Sequence, residues 1–157
     1  MPFDLSLADL LDQSVGVCLD VADKGEAIGR LVALVAGAEA VVDADRLGED
    51  VRAREAQMST GVGGGLGLPH ARTDAVTATV AAFATLDPPV AFDALDGEPV
   101  RLAFLLAGPE ADRARHLRLL SRVSRVMSDP ALRQRLYDAA TPAEVLAAIR
   151  DAEAALV

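Results

Sequence analysis

The sequence predicts a single α/β domain in which a mixed sheet of about five strands is flanked by helices on both sides. Predicted strands and helices follow one another along 157 residues without the strict strand–helix–strand repeat of an all-parallel sheet. This length suits one domain, spanning 1–157, and is enough for a hydrophobic core. Hydrophobic residues make up 52% of the chain and aromatic residues 3%, so alanine, valine and leucine must fill that core.

One strand and two helices are predicted in the first third of the chain. Val15–Leu19 is typical of a short strand. Asp23 begins a helix, and Glu26 stands where a capping box needs a carboxylate. A second helix spans about 44–57 and is capped by Asp43.

The second half of the chain supplies the remaining strands and three helices. Val76 to Leu86 predicts a strand that Asp87-Pro88-Pro89 breaks, with a short edge strand at Val90–Phe92. Asp96–Gly97 predicts a turn, with Asp96 as a turn residue rather than a catalyst. Val100 to Ala107 is almost continuously apolar, which predicts a central strand buried on both faces. The three helices that follow are expected to begin near Asp112, Asp129 and Thr141.

Charge and cysteine content exclude several classes of function. The formal net charge of −9 argues against general affinity for nucleic acid, whose phosphates would be repelled. The single cysteine, Cys18, cannot form an intramolecular disulfide, which fits a reducing, cytoplasmic setting, and its apolar neighbours predict a buried side chain. Two histidines and one cysteine are poor material for zinc. Neither a signal peptide nor a membrane-spanning run is apparent.

Chemistry-bearing residues are concentrated between Ser59 and Arg72, where glycines, hydroxyls, a histidine and an arginine occur together. Five of the seven residues in Gly61–Gly67 are glycine, so backbone N–H groups could approach an anion there. Ser59 and Thr60 would add hydroxyl donors. A proline stiffens the chain before His70, and a neutral imidazole can accept a group covalently and pass it on.

Each of these features also has a plainer interpretation. A glycine run often marks a flexible turn, and this one matches neither the P-loop nor the dinucleotide-binding fingerprint. Arg54 shares a helix face with Leu47 and Val51, where it could form a structural ion pair or an anion site beside the glycines. His116 lies on an apolar helix face, where histidine is commonly a core residue.

Three segments together resemble a known family: Arg54-Glu55, Ser59-Thr60-Gly61-Val62-Gly63 and Leu68-Pro69-His70-Ala71-Arg72. The pattern is similar to that of enzyme IIA domains of the fructose/mannitol type (type 2) in the bacterial phosphoenolpyruvate-dependent sugar phosphotransferase system. In that family the histidine of the Pro-His pair is phosphorylated, which corresponds to His70. His116-Leu117 matches a second histidine of the family, and Gly67 stands where the family usually has alanine.

The resemblance implies a phosphoryl relay with a phosphohistidine intermediate. His70 would accept the group from a histidine phosphocarrier protein and pass it to a cysteine of an enzyme IIB domain for sugar uptake. Arg54 would bind the phosphoryl oxygens, and His116 would hydrogen-bond one of them or hold His70. The neutral phosphate donors would be Ser59, Thr60 and Gly61. Neither a cofactor nor a metal is implied, and neither nucleic acid nor membrane insertion is expected.

Two other functions remain compatible with the sequence. One is a regulatory IIA protein of the nitrogen-linked phosphotransferase branch, with the same chemistry but a binding readout. The other is a non-catalytic binding module, like the cytoplasmic domains of some anion transporters that share this fold and need no phosphohistidine. Retention of Arg54, His70 and His116 disfavours the second.

Overall fold

A computed structural model describes residues 6–156, and in it a six-stranded sheet lies between two helical layers. The strands are β1 (Val15–Leu19), β2 (Gly61–Gly63), β3 (Leu66–Gly67), β4 (His70–Arg72), β5 (Val80–Val90) and β6 (Val100–Gly108). The helices are α1 (Leu7–Leu10), α2 (Lys24–Val35), α3 (Ala44–Gln57), α4 (Arg113–Val126), α5 (Pro130–Asp138) and α6 (Pro142–Ala154). The predicted mixed α/β architecture is confirmed, with six strands where about five were expected.

Local sequence signals set most of these boundaries. Asp23 and Asp43 each accept a backbone hydrogen bond as caps of α2 and α3, and Asp129 does so for α5. Thr141 and Glu144 form a complete capping box at the start of α6. The predicted helices therefore begin where their capping residues stand.

The sheet is built around β6, and this arrangement places the chemistry. Its strand order is β1-β5-β6-β3-β2, and β4 pairs with β6 in parallel, following β3 along the same edge. His70 lies opposite Leu106, and Arg72 lies opposite Gly108, where β6 ends. The chain then turns into α4. The first turn of α4 therefore lies close to β4, beside the end of β6.

Two hydrophobic cores stabilise the layers on either side of the sheet. One contains residues of α1, α4, α5 and α6, with Phe83 and Phe104 packed edge to face at 6.1 Å between ring centroids. The other contains residues of α2 and α3 against the opposite face of β5 and β6, with Phe92 fully buried. Both central strands contain buried alanines, Ala81, Ala82 and Ala84 in β5 and Ala103 and Ala107 in β6, whose small side chains leave room for the helices.

Two local predictions are wrong. The strand predicted at Val76 to Leu86 begins only at Val80 and continues through the two prolines to Val90, which pairs with Val100. A register shift after Thr85 accommodates the exposed Asp87-Pro88-Pro89 segment, so the prolines form an irregularity in a strand rather than its end.

Cys18 is exposed, not buried. Its φ of 55° and the register shift between Gly16 and Leu19 turn its side chain outward from the sheet. Within residues 6–156, no helix is both long enough and apolar enough to cross a membrane.

Candidate functional site

His70 begins β4 and is held by the backbone immediately before it. Its Nδ1 atom lies 2.8 Å from the carbonyl oxygen of Leu68. A carbonyl oxygen can only accept, so the proton of the neutral ring sits on Nδ1 and is donated to Leu68. The other ring nitrogen, Nε2, therefore keeps its lone pair. The imidazole is oriented and has its nucleophilic atom available.

The surroundings of His70 favour the neutral ring. Burial lowers the pKa of His70 below its ordinary value of 6.5, the hydrogen bond to Leu68 opposes this shift, and the nearby Arg54 lowers the pKa further. Glu55 acts in the opposite direction with a smaller effect. At neutral pH the ring is thus predominantly unprotonated, as nucleophilic attack by Nε2 requires.

His116 lies in the first turn of α4 and faces His70, with ring centroids 5.9 Å apart and planes inclined at 42°. It is 4% exposed, and among the described residues its Nδ1 has no hydrogen-bond partner. Burial, then His70 and Arg72, lower the pKa of His116 to about 4. The two histidines thus form a neutral pair at physiological pH.

The two histidines line an open pocket of about 480 Å³. Four arginines line it, Arg46 and Arg54 from α3, Arg72 from β4 and Arg113 from α4. Nη1 of Arg54 donates to the carbonyl of Met58 at 3.2 Å, and Nη1 of Arg72 donates to the carbonyl of Glu110 at 3.3 Å. Among residues 6–156 these two guanidinium groups have no other hydrogen-bond partner, so most of their donors remain for an anion in the pocket. Among residues 6–156, no cluster of histidine, cysteine and carboxylate side chains could hold a metal ion.

The structure brings together Arg54, His70 and His116 and places Ser59 and Thr60 elsewhere. The Ser59 hydroxyl donates to the carbonyl of Phe92 and accepts the N–H of Gly61 at 3.0 Å, and the Thr60 hydroxyl donates to a buried carboxylate. The pocket lining does not include Ser59, Thr60 or Gly61. Phosphate binding by these three residues stays a prediction, and in this conformation their polar groups are already engaged.

Glu55 is one of four residues whose part in or beside the site was not predicted from the sequence. It is 4% exposed, and its carboxylate accepts the N–H of Thr60 at 2.9 Å and the Thr60 hydroxyl at 2.5 Å. Nζ of Lys24 lies 3.2 Å from the same carboxylate. The Arg54-Glu55 pair in the sequence could have indicated this role. Neighbouring residues of a helix point in different directions, so if Arg54 faces the pocket, Glu55 must face another part of the structure.

The glycine run forms a β-hairpin rather than an open anion cradle. Gly63, Gly64 and Gly65 have φ values of 94°, 65° and 83°, which favour glycine. The Gly64 N–H donates to Asp96 at 3.0 Å, and Asp96 also accepts the N–H of Glu98, so both bonds lower the pKa of this exposed turn carboxylate. The glycines therefore shape the chain that leads to His70.

Gly67 has a separate, steric explanation. A Cβ atom at this position would lie 3.0 Å from the ring of Phe92, closer than ordinary packing allows. The alanine expected from the resemblance would need that ring to move. Three further pocket arginines were also missed: Arg72 was visible in the motif, whereas Arg46 and Arg113 reach the pocket only through the packing of α3 and α4.

Comparison with known proteins adds independent information. Residues 10–152 match the family model described as phosphoenolpyruvate-dependent sugar phosphotransferase system, EIIA 2. The PTS system fructose-specific EIIA component of Haloferax volcanii is 39% identical over 118 residues, which is 75% of this chain and 77% of that protein. The nitrogen regulatory protein of Pseudomonas aeruginosa is also 39% identical over 118 residues, with the same coverage of both chains.

Solved structures give the same two kinds of relative. The nitrogen regulatory protein IIA-Ntr from Neisseria meningitidis is 31% identical, with a TM-score of 0.82 over 91% of this chain and 98% of that chain. Mannitol enzyme IIA from Escherichia coli, solved in complex with phosphorylated enzyme IIB, is 20% identical, with a TM-score of 0.75. That match covers 88% of this chain and 95% of that one, and it shows the fold.

Proposed function

The chain belongs to the EIIA 2 family of the phosphoenolpyruvate-dependent sugar phosphotransferase system, and we propose that it relays a phosphoryl group through Nε2 of His70. The supporting observation is the ring's orientation: Nδ1 is committed to Leu68, and Nε2 is unprotonated beside a pocket lined with arginines. We further propose that residues 1–157 form one IIA domain.

In the proposed first step, the His70 Nε2 lone pair attacks the phosphorus of a phosphohistidine on a donor protein. The new N–P bond forms as the donor's N–P bond breaks, and the donor imidazole leaves with the bonding electron pair. Arg54 binds the oxygens of the transferred group, whose negative charge it stabilises throughout. His116 donates a hydrogen bond to one oxygen or holds the His70 ring in position.

In the proposed second step, a cysteine thiolate of an enzyme IIB domain attacks the same phosphorus, and His70 departs as a neutral imidazole. The donor in the first step is a histidine phosphocarrier protein, and the cargo is a sugar of the fructose/mannitol type. Two similar proteins support these partners: a fructose-specific EIIA component, and a mannitol enzyme IIA solved with phosphorylated enzyme IIB. Catalysis requires positioning and charge stabilisation only, so no cofactor is proposed.

A regulatory role in the nitrogen-linked branch is the second candidate. It is favoured by the 39% identity to a nitrogen regulatory protein and by the 31% identity to IIA-Ntr. The chemistry at His70 would be unchanged, but the output would be the altered affinity of a target once the histidine carries negative charge. The net charge of −9 does not distinguish the two roles.

The common part of both proposals is tested by intact mass after incubation with phosphoenolpyruvate and the general phosphotransferase proteins of the source cell. The wild-type chain should gain one phosphoryl group, which acid removes and base does not. His70→Ala should gain none and should remain folded. A phosphorylated His70→Ala chain would overturn the assignment.

The finer part is tested by mixing the phosphorylated chain with the enzyme IIB domains of the source cell. Rapid transfer to a IIB cysteine supports sugar uptake. A phosphohistidine that persists against every IIB domain, while its presence changes binding to another protein, supports the regulatory role instead.

A further inference from the structure

We propose that the protein that docks at the His70 pocket presents an acidic surface, and that an arginine rim on this chain selects it. The arginine rim consists of Arg46, Arg54, Arg72 and Arg113, which line the pocket. This inference rests on the proposed function, because phosphoryl relay requires a partner protein to approach His70. The new element is the sign of the partner's charge. The net charge of −9 on this chain would by itself favour a basic partner rather than an acidic one.

The rim keeps a positive charge despite two carboxylates in the pocket lining, Asp50 and Glu110. Asp50 is already engaged: it accepts the Thr73 hydroxyl at 2.5 Å and lies 3.5 Å from Arg46. Across residues 6–156, no carboxylate forms an ion pair with the other three rim arginines. With both histidines neutral, this face is cationic on an otherwise strongly acidic chain.

The rim is wider than one phosphoryl group. Arg46 lies in the first turn of α3 and Arg54 in its last turn. At a rise of 1.5 Å per residue, their backbones are about 12 Å apart along the helix axis. Binding the transferred group can employ the arginine nearest His70, whereas the others are spread over the dimensions of a protein contact.

The start of α4 also supports a cationic docking face. Arg113 is its first residue, so a cation stands at the positive end of the helix dipole, and the capping residue Asp112 makes no side-chain hydrogen bond to the helix. The capping side chains of the other five helices described between residues 6 and 156 each accept a backbone N–H. A locally unfavourable arrangement of this kind is typical of a functional surface.

An apolar centre within the rim distinguishes a protein partner from a small anion. Leu117 is 52% exposed and follows His116 directly, and the half-buried Leu120 lies one turn further along α4. An apolar centre surrounded by charged groups is the usual anatomy of a transient protein interface. A basic partner would be repelled by the rim, whereas carboxylates on the partner would steer it toward His70.

The first experiment measures the rate of phosphoryl transfer from the phosphorylated phosphocarrier protein of the source cell at increasing NaCl concentration. The second-order rate constant should fall by about tenfold or more between low salt and about 0.5 M NaCl, because opposite charges attract and salt screens them. A rate that rises with salt, as repulsion from the net charge would produce, overturns the proposal.

Charge reversal localises the effect. Arg113→Glu should lower the second-order rate constant at low salt by about tenfold, and the difference from wild type should shrink at about 0.5 M NaCl, because salt screens the charge at the docking face. Glutamate also suits a helix N-terminus, so the variant should fold. Arg150→Glu on the exposed side of α6 is the matched control, with the same change in net charge. Equal rates in the two variants overturn the proposal.

A second measurement does not depend on transfer. Hexaglutamate should shift the backbone amide NMR signals of Arg113 and Leu117 at low salt, and hexalysine should not. If transfer fails but hexaglutamate binds here, the proposed function is lost and the cationic docking face stands. If transfer proceeds but hexaglutamate leaves these signals unchanged, the docking proposal is wrong and the relay stands.

Discussion

Two regions formed by a single sequence motif, 54–72, differ in their hydrogen bonding. In the Glu55 network, the Glu55 carboxylate pairs with Lys24 and Thr60, and beside it the Ser59 hydroxyl donates to the Phe92 carbonyl. In the His70 pocket, which Arg54 also lines, Nε2 of His70 has no hydrogen-bond partner among residues 6–156. The motif contains polar residues throughout, but only those in the pocket remain available to a ligand.

This difference distinguishes polar groups that stabilise the fold from polar groups that can take part in phosphoryl transfer. Polar groups that are buried and fully paired stabilise a conformation, and breaking them costs stability. Polar groups that the fold holds in place but does not pair are available to a ligand. Variants of the Glu55 network should therefore affect mainly stability, and variants of the pocket should affect mainly phosphoryl transfer.

The largest effect on transfer among the supporting residues is expected at Arg54. Arg54→Lys keeps the charge but loses the planar donor fork, so transfer should slow by roughly 10- to 1000-fold. The melting temperature should barely change, because the Arg54 side chain makes a single hydrogen bond within residues 6–156, to the carbonyl of Met58. Rapid-quench measurement of transfer checks this. Wild-type rates in this variant would mean that Arg54 is a structural residue, and the His70 pocket would then not differ from the Glu55 network as proposed.

The largest effect on stability is expected at Glu55. Glu55→Gln removes the charge that pairs with Lys24 and weakens two hydrogen bonds from Thr60. The free energy of unfolding should fall by about 2–4 kcal/mol, because buried hydrogen bonds to a charged group are weakened and Lys24 keeps only the exposed Asp93, 3.5 Å away, as an ion-pair partner. Chemical denaturation measures the loss. Transfer by the folded fraction should stay close to wild type, and a stable but inactive variant would place Glu55 in the chemistry.

A pH-dependent effect is expected at His116. Its pKa is about 4 in the folded chain and near 6.5 when unfolded, so between these values only the unfolded chain binds the proton. Lowering the pH from 6.5 to 4 should therefore destabilise the fold, by about 2–3 kcal/mol from this group. His116→Gln should lose this part of the acid sensitivity. Denaturation at pH 7 and pH 4.5 measures it, and identical pH dependence in both chains would contradict the assignment.

The smallest effect is expected at Ser59. Ser59→Ala removes two hydrogen bonds, to the Phe92 carbonyl and from the Gly61 N–H, and should cost about 1 kcal/mol of stability. Transfer should remain near wild type, since Ser59 does not line the pocket. If Ser59→Ala instead slows transfer as strongly as Arg54→Lys without loss of stability, the phosphate-binding role predicted from the sequence is correct.

Periodicity and capping residues made the fold largely predictable. The cap residues placed the helix starts, and the continuous apolar run at Val100 to Ala107 identified the central strand. The residues that the structure gathers around His70 include Arg54 and His116, which were expected there. Their positions near His70 were implied by the family resemblance, because helix periodicity alone was equally compatible with a structural arginine and a core histidine.

What the sequence could not supply is the direction in which polar side chains point. Ser59 and His70 stand in one motif, yet a hydrogen bond to Phe92, 33 residues away, turns Ser59 away from the pocket. Arg113 joins the pocket only because β6 ends beside β4 and the chain turns back into α4. Cys18 was misjudged for a similar reason, since a register shift between strands leaves no trace in local composition.

NMR of the phosphorylated chain can determine whether Nε2 of His70 carries the phosphoryl group, as proposed. The chain is labelled with ¹⁵N-histidine, phosphorylated, and its ring nitrogens are identified through long-range proton–nitrogen and phosphorus couplings. The hydrogen bond from Nδ1 to Leu68 predicts phosphorus on Nε2, with Nδ1 still protonated. Phosphorus on Nδ1, or on any residue other than His70, would show that Nε2 of His70 is not the phosphoryl carrier.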